Sequence, residues 1–93
     1  MLTLSNIVDS IYITEGGTNT SHPYGILTRY KHTSPRQACA NTVTHAMRDF
    51  KFTEHSSDKA FIYFLADRYC PTSADAEGNK NWKVNMVRIL NIK

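Results

Sequence analysis

The stretch Asp9-Ser-Ile-Tyr-Ile-Thr-Glu15-Gly-Gly, followed by His22-Pro-Tyr-Gly-Ile-Leu27, organises the rest of this chain. Its apolar residues recur at helical spacing: Ile7, Val8, Ile11 and Tyr12. With Ser5 as a suitable N-cap, this spacing predicts a helix over residues 5–15. Gly16 and Gly17 then end the helix and leave bare backbone, which allows another group to approach closely.

Glu15 falls on the apolar stripe of this helix, in its last turn. A charged carboxylate there is disfavoured by partial desolvation and by the negative end of the helix dipole. A general acid that works near neutral pH requires such an environment. The alternative interpretation is a water-facing glutamate beside an ordinary Gly-Gly helix end.

Composition and length are those of one small globular domain spanning residues 1–93. Hydrophobic residues make up 41% and charged residues 20%, which argues against disorder. No apolar run approaches the roughly 20 residues of a membrane helix, so no membrane insertion is expected. No signal peptide is visible at the N-terminus, which predicts a cytoplasmic protein until it is exported or released. The net charge of +3 is compatible with a polyanionic partner or with a solvated surface alone. A monomer is expected.

Three further helices are predicted, which makes the fold class mainly α. Residues 16–33 form a long polar loop or a short β-hairpin, with Tyr24, Ile26 and Leu27 facing inward. Ser34 and Pro35 begin the second helix as N-cap and first residue, and the helix runs to about residue 50 or 52. The third helix begins at residue 57 or 58 and ends at 70, before a proline. The fourth spans about residues 80–91.

Two cysteines, Cys39 and Cys70, are predicted at the same height on neighbouring helices, because the second and third helices are joined by a short turn. A Cα separation below about 7 Å is expected. A disulfide closing this loop would contribute roughly 3–4 kcal/mol. Two buried free thiols are the equally open alternative. Neither cysteine has the spacing of a zinc ligand, so no metal and no cofactor is predicted.

Several short motifs together resemble the lysozyme-like superfamily of goose-type lysozymes and lytic transglycosylases. In that family a helix ends in the catalytic Glu, and a small hairpin with a Gly-apolar turn follows. The motifs that carry the resemblance are Glu15-Gly-Gly and Tyr24-Gly-Ile. Small bacterial or phage proteins similar to this chain over nearly all of its length carry three more: Cys39-Ala-Asn-Thr, Arg68-Tyr-Cys-Pro and Asn81-Trp.

The resemblance implies a four-helix lysozyme-like domain that cleaves peptidoglycan glycan strands. Glu15 would be the single catalytic acid, because no second carboxylate follows it until Asp49. In transglycosylases of this kind the product is a 1,6-anhydro sugar, and a muramidase using water is the neighbouring possibility. Residues expected to bind the glycan at the cell wall are Gly16, Gly17, Tyr24, Gly25, Asn41 and Tyr69.

The chain also departs from the family, and other classes of function stay open. Thr28 stands near the place of the family's usual Gln, and the hairpin is short. A catalytically inactive glycan-binding or structural relative is therefore the main alternative. A small basic helical module for nucleic acid is the less favoured one, since no dense basic helix is present. The segment 75–81 alternates oxygen-bearing side chains as a calcium loop does, but its spacing fits a polar turn and helix cap better.

Overall fold

The computed structural model describes residues 2–26, 31–53 and 55–92, and in these ranges the chain is mainly α-helical. Four α-helices are present there: α1 (Leu4–Thr14), α2 (Pro35–Phe50), α3 (Asp58–Tyr69) and α4 (Ala76–Ile89). The prediction of a mainly α chain with four helices is confirmed, and the helix ends differ from prediction mostly at α1 and α4.

The caps explain where the helices begin. The side chains of Ser34 and Ser57 accept hydrogen bonds from backbone N–H groups three residues later, as predicted for α2 and α3. The predicted cap of α1 is wrong, because Thr3 rather than Ser5 accepts the bond from Asn6. The prediction that α4 begins at residue 80 is also wrong. Asp75 accepts from the backbone of Gly78, so the helix starts one turn earlier.

The segment between α1 and α2 forms two 3₁₀ turns over its described part, Gly17–Asn19 and Pro23–Gly25. The predicted hairpin is therefore not present in residues 16–26, which contain no strand. Its remaining part, residues 27–30, including the predicted inward position Leu27 and Thr28, lies outside the described ranges. Tyr24 and Ile26 are half-buried, in agreement with their predicted inward direction.

The four helices pack in chain order, and α4 returns to contact α1. The hydrophobic core lies between them and receives residues from every helix: Ile7, Ile11, Cys39, Val43, Phe61, Leu65, Trp82 and Met86. The apolar stripe predicted for the first helix supplies Ile7, Val8 and Ile11 to this core. Because α1 and α4 are neighbours, the last turn of α1 lies against the side chains of α4. This closure of the ring is what positions the candidate site.

The two cysteines are both free thiols, so the disulfide alternative is wrong. Cys70 lies beyond the end of α3 as its C-cap, where its sulfur faces the backbone oxygen of Asp75 at 3.9 Å. Cys39 is buried and receives a hydrogen bond from the Tyr69 hydroxyl at 3.0 Å. The two sulfurs thus face different neighbours.

None of the helices in the described ranges is both long enough and apolar enough to pass through a membrane.

Candidate functional site

The candidate site is centred on Glu15, which is the C-cap residue immediately after α1. Its backbone N–H still donates to Ile11 at 2.9 Å, and the chain then turns because Gly16 adopts a left-handed conformation with φ of 104°. The prediction that Glu15 ends the first helix is confirmed. Its side chain is half-buried, so it does not project freely into water.

One carboxylate oxygen of Glu15 is held by α4. The indole N–H of Trp82 donates to Glu15 Oε1 over 3.0 Å. The second carboxylate oxygen, Oε2, receives no hydrogen bond from any described residue. Trp82 is only 6% exposed, so water competes little for this bond. A hydrogen bond to a carboxylate in such a place is stronger and better oriented than one at the surface.

The backbone of Gly25 packs directly on the Glu15 carboxyl group. A Cβ atom built at Gly25 would lie 3.0 Å from Glu15 Cδ and 3.2 Å from each of its oxygens. Gly25 also has a positive φ of 68°, which other residues adopt only with strain. Gly25 thus lies beside the Glu15 carboxyl group, and its expected part in glycan binding stays a prediction.

The turn that carries Gly25 is itself strained and is held by two contacts. Tyr24 has φ of 64°, a conformation that costs a bulky side chain roughly 1–2 kcal/mol. Its ring packs against Tyr12 of α1, with 5.0 Å between centroids. Its hydroxyl accepts a hydrogen bond from Arg36 Nη1 at 3.3 Å, and the same nitrogen pairs with Asp9 at 2.8 Å. These contacts place the turn against the end of α1.

Tyr69 is half-buried and packs against Trp82. Its ring stacks on the indole with 5.4 Å between centroids and 19° between planes, and its hydroxyl donates to Cys39. Burial raises the pKa of Tyr69 far above its usual range, and the bond to Cys39 and the charge of Glu15 add to the rise. Burial also raises the pKa of the Cys39 thiol. Both groups therefore stay protonated at neutral pH and act as neutral partners.

Asn41 lies apart from these residues. It is exposed, and its side-chain oxygen accepts from Gln37 one turn earlier in α2. Two residues correspond to about 200° around a helix, so Asn41 faces away from the side on which Cys39 meets Tyr69. It lines a shallow surface depression together with four other residues: Thr33, Ala38, Thr42 and His45.

Of the remaining predicted binding residues, Gly16 and Gly17 shape the turn after Glu15. A Cβ at Gly17 would meet the Tyr12 ring at 3.4 Å. In the described ranges, no group of three or more His, Cys, Asp or Glu side chains is arranged to hold a metal ion. In segment 75–81 the Asp75 carboxylate caps α4, in agreement with the preferred interpretation of a polar turn and helix cap.

The sequence-based predictions gave neither Trp82 nor Arg36 a role at the site. The Asn81-Trp motif was a signal for Trp82, but its partner Glu15 is 67 positions away.

Comparisons with protein-family models, with characterised proteins and with solved structures give no match to this chain.

Proposed function

We propose that this protein cleaves the glycan strand of peptidoglycan, with Glu15 as the general acid. The observation that carries the proposal is the state of its carboxyl group. It is half-buried at the end of α1, with Oε1 held by Trp82 and Oε2 without a donor among the described residues. A carboxyl group fixed in this way can present a proton in one direction, as general acid catalysis requires.

The chemistry follows the single-glutamate route implied by the lysozyme-like resemblance. Glu15 donates its proton to the glycosidic oxygen as the bond from that oxygen to C1 breaks, and the substrate's N-acetyl oxygen stabilises C1. The carboxylate then accepts the proton of the sugar's 6-hydroxyl as O6 bonds to C1. The product is a 1,6-anhydro sugar, and no water is consumed. In a muramidase, water would take the place of the 6-hydroxyl.

The neighbouring aromatic residues receive distinct roles in this proposal. Tyr24 lies on the loop side of Glu15 and is only half-buried, which suits contact with a sugar ring. Tyr69 has its hydroxyl bonded to Cys39 and its ring against Trp82, so it supports the site from inside. Asn41, on the other side of α2, is left out of the site.

The test compares Glu15→Gln with Glu77→Gln, a matched change at an exposed glutamate in the first turn of α4. Gln retains a side-chain oxygen that accepts from Trp82 but has no acidic proton. We expect Glu15→Gln to slow the release of soluble fragments from purified cell walls by at least about 100-fold, with thermal stability level or higher. Glu77→Gln should match the wild type. Mass spectrometry of the fragments distinguishes the anhydro product from the hydrolysed one.

A catalytically inactive glycan-binding or structural relative is the second candidate. The observation that favours it is the Trp82–Glu15 bond itself, because it links α1 to α4 and would stabilise the fold without any reaction. A wild type that releases no fragments but binds walls or chitin oligomers would support this candidate. Equal rates for the wild type and Glu15→Gln would exclude catalysis by Glu15.

A further inference from the structure

A chain of side-chain contacts connects Glu15, at the end of α1, to the other three helices. It runs from Glu15 to Trp82 of α4, then to Tyr69 of α3 and Cys39 of α2. We propose that Trp82 is the positioning residue of the site and that it keeps the acidic proton of Glu15 on Oε2. The catalytic part of this inference rests on the proposed function. The structural part, that Trp82 holds the carboxyl group of Glu15, rests on the hydrogen bond alone.

The direction of the hydrogen bond determines which oxygen carries the proton. An indole N–H can only donate, so the oxygen facing it must accept. In a neutral carboxyl group the carbonyl oxygen is the better acceptor, and the proton therefore resides on the other oxygen. Trp82 faces Oε1 at 3.0 Å, which assigns the proton to Oε2. After Glu15 gives up the proton, the same N–H bonds a charged oxygen and the bond becomes stronger.

The surroundings prevent the indole from leaving this position. Trp82 is almost fully buried, and Tyr69 covers one face of its ring at an interplanar angle of 19°. The Tyr69 hydroxyl is in turn bonded to the buried Cys39 sulfur. The backbone of Gly25 also lies against the carboxyl group, at a position where a Cβ atom would be 3.2 Å from each of its oxygens. The carboxyl plane thus keeps one orientation through the proton transfer, which is the purpose of a preorganised site.

The hydrogen bond can be tested without any substrate, because Trp82 is the only tryptophan in the chain. Its indole N–H gives a single cross-peak in a ¹H–¹⁵N spectrum. We expect this peak to move through one acid titration in the wild type and to stay still in Glu15→Gln. The control carboxylate is Asp67, which accepts a hydrogen bond from Asn79, three residues before Trp82 in α4. Asp67→Asn should leave the titration in place.

Cys39, Tyr69 and Cys70 each have a pKa that is raised mainly by burial and in smaller part by the charge of Glu15. They change state only in alkali, outside the acid range of the experiment. An indole peak that does not move in the wild type, or that moves equally in Glu15→Gln, would overturn the inference.

The catalytic part is tested with Trp82→Phe, which keeps an aromatic ring and removes the donor. The matched control is Phe64→Leu, a partly buried change in α3. Loss of a hydrogen bond to a charged group predicts a fall in kcat of about 10–100-fold with KM little changed. The control should keep the wild-type kcat, since a general loss of stability does not alter it in folded protein.

The outcomes separate this inference from the proposed function. If Glu15→Gln is inactive while folded Trp82→Phe retains the wild-type kcat, Trp82 does not position the acid and the inference fails alone. If the wild type releases no fragments, the proposed function fails, and the indole titration still decides whether Trp82 holds the carboxyl group.

Discussion

Replacing Gly25 with alanine tests how closely the turn and Glu15 are packed. Gly17 offers a matched control, because its φ of 56° is close to the 68° of Gly25. A left-handed conformation costs an alanine about 1–2 kcal/mol at either position. A Cβ at Gly17 meets only the Tyr12 ring at the ordinary distance of 3.4 Å. Gly17→Ala should therefore be destabilised only by the cost of the left-handed conformation, about 1–2 kcal/mol.

At Gly25 a second cost is added. The new Cβ would lie 3.0 Å from Glu15 Cδ, whereas carbon atoms in contact favour about 3.5–4.0 Å. The carboxyl group must shift by several tenths of an ångström, which stretches its bond to Trp82. Overpacking of this kind costs about 1–3 kcal/mol. Gly25→Ala should therefore be less stable than Gly17→Ala by that amount, and each kcal/mol lowers Tm by about 4–8 °C in a domain of this size.

Urea unfolding at constant m-value measures both variants, and a cycle with Glu15→Ala isolates the contact. With the carboxyl group removed, the cost of Gly25→Ala should fall to that of Gly17→Ala. If both variants lose equal stability in both backgrounds, Gly25 is not packed on Glu15 and the geometry argued for the site is wrong.

Three further predictions concern the surroundings of the site. Arg68 lies 2.6 Å from Asp49 and holds the pKa of the Asp49 carboxyl below its usual range. The ion pair therefore contributes stability above the pKa of Asp49 in the unfolded chain. This contribution is lost as pH falls through the pKa of Asp49 in the folded protein. Asp49→Asn should thus lower Tm at neutral pH and leave it unchanged in strong acid, where a uniform loss would contradict the ion pair. A thiol reagent should modify partly exposed Cys70 slowly in the native state, because burial raises the pKa of this thiol. Buried Cys39 should react only on unfolding. Rapid labelling of both cysteines in the native protein would show an open core. Asp75→Ala should remove the cap of α4 and cost about 1 kcal/mol by urea unfolding, with Asp75→Asn close to the wild type.

The parts of the structure that depend on local chemistry follow from the sequence. Ser34 and Ser57 each accept a backbone N–H three residues later, and Gly16 takes the left-handed conformation that ends α1. These interactions lie within a few residues of each other along the chain. The start of α4 was missed because Gly78 in its first turn is an unfavourable helix residue. The structure explains it, since a Cβ there would collide with the Asp75 carboxylate and lie 3.1 Å from the Cys70 sulfur.

By itself, the sequence determined a mainly helical chain, the apolar face of α1 and the position of Glu15 at a helix end. Only the tertiary structure decided what that carboxyl group meets. Trp82 comes 67 positions later and was visible only within the Asn81-Trp motif. The indole N–H of Trp82 meets Glu15 only because α4 packs against α1. No local sequence pattern predicts that these two residues come into contact. The two cysteines show the same limit, because the chain leaves its helix at Cys70 and turns its sulfur towards α4.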